Sequence, residues 1–235
     1  MSRRTGLIVA LDTLDVARAA GWAAAVAPYC GMVKLGLEFF LATGAAGYAA
    51  VGADDIFLDL KLHDIPNTVA GAVRAVLPLR PRLVTLHAAG GAAMIAAARA
   101  AAEAAGVLRP MLLGVTVLTS LDAEALHATG VAGGPRQQVL RLAKLAVSAG
   151  ADGVVCSPQE VAMLRDALGD GPLLVVPGIR PAGSDLGDQA RTLTPREAVE
   201  AGADWLVVGR PITQAADPAA AAAAIAADIA ADIAG

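Results

Sequence analysis

The chain has 235 residues, 56% of them hydrophobic, and a formal net charge of −4. It can bury a large core in one domain or two, and its acidic balance lacks the basic footprint of a nucleic-acid binder. Two cysteines, Cys30 and Cys156, are too few for a disulfide framework and have no zinc-ligand spacing, so a reducing cytoplasm is the expected compartment.

Residues 7–11 read as a short buried strand ended by Asp12; the apolar run after Arg3 and Arg4 is too short for a secretory leader. A helix is expected over 14–27, with Asp15 in an acidic first turn. The strand over 32–35 carries an unexpected interior Lys34, and a helix over about 37–51 follows. Residues 56–60 form an apolar run that ends in Asp59, Lys61, His63 and Asp64 before Pro66. Alternate strand residues share a face, so Asp59 and Lys61 point the same way and Leu60 the other. Pro66 suits the first turn of a helix over 65–77, where its missing N–H costs nothing.

The pattern repeats to the end of the chain. Strands are expected over 83–87, 111–117, 153–156, 173–176 and 205–208. Helices are expected from Ala92, over 122–128 as a short segment, over 135–148, from the Ser157/Pro158 junction and from the Thr194/Pro195 junction. The alanine-rich tail over 218–235 carries Asp228 and Asp232, which suits a soluble final helix and not a membrane span. Eight apolar strands alternating with helices are the pattern of a single-domain (β/α)8 TIM barrel over residues 1–235, in which chemistry gathers at the carboxyl ends of the strands. An open doubly wound sheet is the alternative. Asp12, Lys34, Asp59, Lys61, Thr119, Arg180 and Arg210 all fall in or just after a strand's carboxyl end, which favours the barrel.

The charges around Lys61 could be a solvated ion-pair cluster, but their apolar flank makes unpaired burial costly and argues for a site. Gly178 to Arg180 and Gly209-Arg210 lie where barrels bind phosphate, after strands seven and eight; an ordinary helix-capping turn is the alternative. The Thr119 hydroxyl suits a ligand contact or an N-cap for the segment from Asp122. His63 and His87 suit structural roles, and His127 a solvated helix.

The stretch from Asp59 through Leu60, Lys61, Leu62, His63, Asp64, Ile65, Pro66 and Asn67 to Thr68 resembles the signature of the orotidine 5′-monophosphate decarboxylases, and the resemblance covers essentially the whole chain. It implies conversion of orotidine 5′-monophosphate to UMP and CO2 in pyrimidine biosynthesis, with no cofactor and no metal. It implies a catalytic set of Lys34, Asp59, Lys61 and Asp64, within a substrate-binding stretch that runs from Asp59 to Thr68. Asp12 and Lys34 would hold ribose hydroxyls and Thr119 the pyrimidine. Arg180, Gln189, Gly209 and Arg210 would contact phosphate, with Gln189 reaching over from the loop 181–191. Acids on both sides of Lys61 favour its ammonium form, suited to stabilising a carbanion and then protonating it. The same acids argue against a Schiff-base aldolase, whose lysine needs desolvation or a second cation. A magnesium-dependent sugar-phosphate enzyme of the related superfamily carries a similar Asp-Lys-Asp motif, but the continuation through Ile65, Pro66, Asn67 and Thr68 fits the orotidylate enzymes better. The intact charged set also weighs against a silent phosphate-binding protein. The resemblance further implies a homodimer with shared active sites, in which Asp64, Ile65 and Thr68 serve the neighbouring chain.

Overall fold

The computed structural model describes residues 5–181 and 193–231. Eight parallel strands close into a barrel in sequence order, each paired with the next and β8 with β1. The order is β1 (Gly6–Ala10), α1 (Val16–Val26), β2 (Met32–Gly36), α2 (Leu37–Ala50), β3 (Ile56–Leu62), α3 (Pro66–Val76), β4 (Leu83–His87) and α4 (Ala92–Glu103). There follow β5 (Met111–Val115), α5 (Ala123–Ala128), α6 (Pro135–Ser148), β6 (Gly153–Val155), α7 (Val161–Leu168), β7 (Leu173–Val176), α8 (Pro195–Glu200), β8 (Trp205–Val208), α9 (Arg210–Thr213) and α10 (Pro218–Ala231).

The strands read as unbroken apolar runs because both of their faces are buried. One set of alternate residues, including Ile8, Phe57, Leu83, Leu113, Val175 and Val207, fills the barrel interior. The other set, including Val9, Leu58, Val84, Leu112 and Leu206, meets the surrounding helices. On α6, Val139, Leu142, Ala143 and Ala146 recur at helical spacing and form its buried stripe. At the amino-terminal end of the barrel the Trp205 ring lies so close to Gly6 and Gly31 that a Cβ at either would collide with it. Among the described residues, no helix is long and apolar enough to cross a membrane.

Local chemistry sets the element ends. Asp15 is the N-cap of α1, accepting from the Arg18 N–H at 3.0 Å, and so lies just outside the first turn in which the sequence pattern put it. Asp122 caps α5 itself, accepting from the Ala125 N–H at 2.8 Å, which leaves Thr119 uncommitted to that role. Thr194 opens α8 with reciprocal capping by Glu197, and at the Ser157 junction the Ser157 N–H donates to Glu160 Oε2 at 2.9 Å. Pro66 occupies the first turn of α3.

The departure that matters is in β3. Its pairing with β4 runs Phe57 to Leu83 and Leu58 to Val84, then resumes at Leu62 with Leu86, so four steps along β3 match two along β4. The strand bulges between these points, and Lys61 sits within the bulge at φ 50°. Lys61 nevertheless shares a side of the strand with Asp59, as alternation expects, its Nζ 2.9 Å from both Asp59 oxygens. A left-handed backbone at a residue with a side chain costs about 1–3 kcal/mol, and such strain persists only where the surroundings enforce it.

Candidate active site

At the carboxyl end of the barrel a cavity of about 450 Å³ opens over the apolar interior. All seven residues that the sequence pattern places at strand ends line it: Asp12 after β1, Lys34 on β2, Asp59 and Lys61 on β3, Thr119 after β5, Arg180 after β7 and Arg210 after β8. Phe57, Val115, Val155 and Val207 form its floor and apolar walls.

The polar side is a chain of alternating charges. The Lys61 ammonium lies 2.9 Å from each oxygen of Asp59. Lys34 Nζ lies 3.5 Å from Asp59 Oδ2 and 3.5 Å from Asp12 Oδ1. Asp59 is thus flanked by two cations while only 9% exposed. Burial pushes its carboxyl up, but the Lys34 and Lys61 charges, with hydrogen bonds from Lys61 and Thr85, outweigh burial and hold it below the usual carboxylate range. The carboxylate is accordingly present at neutral pH.

Thr85, on β4, is fully buried and donates to Asp59 Oδ1 at 2.8 Å. Its oxygen also accepts from the Lys61 backbone N–H at 2.9 Å. The sequence pattern offered one signal for this residue: Thr85 shares the inward parity of Leu83 and His87 on an otherwise apolar strand. Gln214, which lines the cavity, is a second residue that motif reasoning missed. His87 packs against His63 with ring centroids 5.3 Å apart, and burial, then His63 and Lys61, lower its pKa and favour the neutral ring.

Opposite the lysines, the loops after β7 and β8 bring Pro177, Gly178, Arg180, Gly209 and Arg210 to the cavity. Gly178 takes φ 80°, which a side chain would resist. The Arg180 backbone N–H donates to the Leu193 carbonyl at 3.0 Å and its Nη1 to the Ile179 carbonyl at 2.9 Å, so the buried guanidinium is anchored at the cavity wall. A Cβ on Gly209 would stand 3.5 Å from Asp12 Oδ2, which brings the β8 loop against the start of the charged chain. Gln189 lies outside the described residues.

The rest of the motif points elsewhere. Leu60 is buried in the outer core, and Leu62 packs against that core. His63, Asp64, Ile65, Pro66, Asn67 and Thr68 are exposed and do not line this chain's cavity. Asp64 Oδ1 accepts from the Ile65 N–H at 2.7 Å, and the carboxylate paired with Lys61 is that of Asp59.

Residues 5–225 match the family model described as "Orotidine 5′-phosphate decarboxylase / HUMPS family". A Gluconobacter oxydans protein named orotidine 5′-phosphate decarboxylase is 59% identical over 222 residues, covering 93% of this chain and 94% of its own. One of the same name from Anaeromyxobacter dehalogenans is 58% identical over 218 residues, covering 92% of this chain and 94% of its own. Among solved structures, the orotidine 5′-phosphate decarboxylase of Lactobacillus acidophilus superposes with a TM-score of 0.85 at 40% identity, covering 96% of this chain and 99% of that one.

Proposed function

The chain belongs to the orotidine 5′-phosphate decarboxylase / HUMPS family, and from that premise we propose that it decarboxylates orotidine 5′-monophosphate to UMP and CO2 without a cofactor, as a carboxy-lyase of pyrimidine biosynthesis. The observation that carries this reading is the Lys61 ammonium held 2.9 Å from a buried carboxylate at the head of a closed cavity floor.

Cleaving the bond from the pyrimidine ring to its carboxylate leaves an electron pair in the ring plane, where the π system cannot absorb it. A fixed cation is what that species needs. Two unit charges 4 Å apart at an effective dielectric of about 20 interact by about 4 kcal/mol, worth roughly a thousandfold in rate if the interaction exists only in the transition state. Lys61 supplies that charge and then passes an Nζ proton to the same ring carbon, so the leaving CO2 is replaced by hydrogen and the amine is reprotonated from solvent. Asp59 faces the substrate carboxylate; repulsion between them is relieved as CO2 departs. Lys34, which bridges Asp59 and Asp12, keeps the array aligned, and Asp12 and Lys34 take the ribose hydroxyls.

Thr119 contacts the pyrimidine, and Arg180, Gly209, Arg210 and Gln189 the phosphate. The cavity is about the size a nucleotide needs, with cations at both ends. The enzyme works as a homodimer of single-domain chains (residues 1–235) in the cytoplasm, each chain lending Asp64, Ile65 and Thr68 to its partner's cavity. The exposure of the 63–68 stretch, with Ile65 67% exposed, supports that arrangement. Two free thiols suit a reducing compartment.

The test is to follow the absorbance of orotidine 5′-monophosphate with purified protein, with and without a chelator. Conversion to UMP at equal rates in both is expected. No conversion would overturn the reading, and activity abolished by chelation would move the chain to metal-dependent chemistry.

A further inference from the structure

Two charged side chains must be held in one geometry on a strand that is locally strained, and the charges alone do not enforce it. Lys61 has φ 50°, so its amide has left the regular ladder with β4. That amide is satisfied instead by the Thr85 hydroxyl, at 2.9 Å. The same hydroxyl gives its proton to Asp59 Oδ1 at 2.8 Å, and Asp59 Oδ1 in turn accepts from Lys61 Nζ at 2.9 Å. The result is a closed ring: Thr85 hydroxyl to Asp59 carboxylate, carboxylate to Lys61 ammonium, and along the Lys61 side chain back to its own N–H and the hydroxyl.

We infer that Thr85 is a positioning residue for the decarboxylation, its single hydroxyl fixing both the Asp59 carboxylate and the bulged backbone from which Lys61 reaches the reacting carbon. A hydroxyl is the smallest group that can donate to one partner and accept from the other at once. Thr85 is fully buried, so water does not compete for either bond. Its β-branch suits the strand, but no apolar isostere can close the ring. Without it Lys61 N–H loses its acceptor and Asp59 one donor, and the bulge is free to relax toward a regular strand. Displacing a catalytic group by about 1 Å costs on the order of a hundredfold in rate. Thr85 stands on β4, strands away from the loops after β7 and β8, so binding through that end should be spared.

This inference rests on the decarboxylase reading, and its test separates the two. Thr85→Ser, Thr85→Ala and Thr85→Val are compared with wild type for kcat per folded molecule, for KM and for the Kd of UMP. Thr85→Ser, which keeps the hydroxyl, is expected to turn over within about threefold of wild type, while Ala and Val lose about a hundredfold in kcat with UMP affinity changed less than about threefold. If Val does not fold, the Ser-to-Ala ratio still reads the hydroxyl alone, since both leave similar space. An active wild type with Thr85→Ala turning over at its rate, or with Ser losing as much as Ala, would overturn the role of Thr85 and leave the function standing. A wild type with no turnover would remove the function and this inference with it.

Discussion

At the amino-terminal face of the barrel, Asp152 and Asp204 stand just before β6 and β8; at the carboxyl-terminal face, Asp59 stands near the end of β3. Asp152 accepts from the Leu112 N–H at 2.8 Å, from Arg109 at 2.8 and 2.9 Å and from Arg99 at 3.0 Å. Asp204 accepts from the Leu174 N–H at 2.7 Å and from Arg165 at 2.8 Å. The arginines divide their planar forks between carboxylate and backbone, Arg165 reaching the carbonyls of Gly169, Pro172 and Gly202. Asp59 is paired with lysines instead, compact point charges that leave donors for a ligand, and all three face the open cavity. The backbone differs as well: bulged and strained at Lys61, regular in the strands after the basal acids. Similar ion pairs therefore serve two ends, stitching helices to strands below and keeping charge available for chemistry above.

The comparison breaks most visibly at Lys61. Lys61→Ala is expected to lower kcat by more than about a thousandfold, since charge stabilisation and proton delivery vanish together. The unfolding midpoint should fall, because alanine keeps the left-handed φ while the buried Asp59 carboxylate loses one of its two cations. Turnover within about tenfold of wild type would assign the chemistry elsewhere.

A second test sharpens the upper site by asking whose acid completes it. In the proposed dimer, Lys61→Ala and Asp64→Asn chains, each expected to be inactive alone and mixed under conditions of free subunit exchange, should form mixed dimers with one intact site each. Activity should recover to roughly a quarter of wild type, given that half the dimers are mixed. Absence of recovery with exchange demonstrated would mean that Asp64 acts within its own chain.

The smallest effect expected is on pH dependence, where both ends should behave alike. Burial pushes Asp152 up, but hydrogen bonds from Arg109 and the Leu112 amide, with the Arg109 and Arg99 charges, hold it below the ordinary range, as the lysines do for Asp59. A carboxyl held low when folded takes up its proton more readily once unfolded. Its stabilisation is complete above the unfolded value, near pH 4, and is lost as pH falls through the depressed folded value. The urea midpoint should therefore fall below about pH 4, and less steeply in Asp152→Asn. An unchanged slope would mean that Asp152 contributes nothing through its charge.

Much of this architecture is legible from residue order, for physical reasons. Strands buried on both faces leave unbroken apolar runs, so β7 and β8 fall where those runs are. Charges at strand ends mark the open end of the barrel. What residue order hides is whatever depends on a partner distant in the chain. The bulge at Lys61 needs the Thr85 hydroxyl, 24 residues away on another strand, and alternation counted along β3 alone cannot register it. The motif from His63 to Thr68 is easily read as one binding stretch, yet it is exposed here and leaves the cavity to Asp59 and Lys61. A contiguous signature does not distinguish residues that face inward from those available to a neighbour.

The central claim, that similar ion pairs carry chemistry only at the carboxyl-terminal end of the barrel, is tested by crossing Asp59→Asn with Asp152→Asn and measuring kcat and the urea midpoint for each. Asp59→Asn is expected to lose at least about a hundredfold in kcat, since the repulsion it supplies and the alignment of Lys61 both go, and to lower the midpoint as well, since Lys34 and Lys61 lose their counter-charge. Asp152→Asn is expected to keep kcat within about twofold while losing about 2–3 kcal/mol of stability, since two guanidinium groups lose their counter-charge. Equal losses of kcat in the two variants would contradict the division.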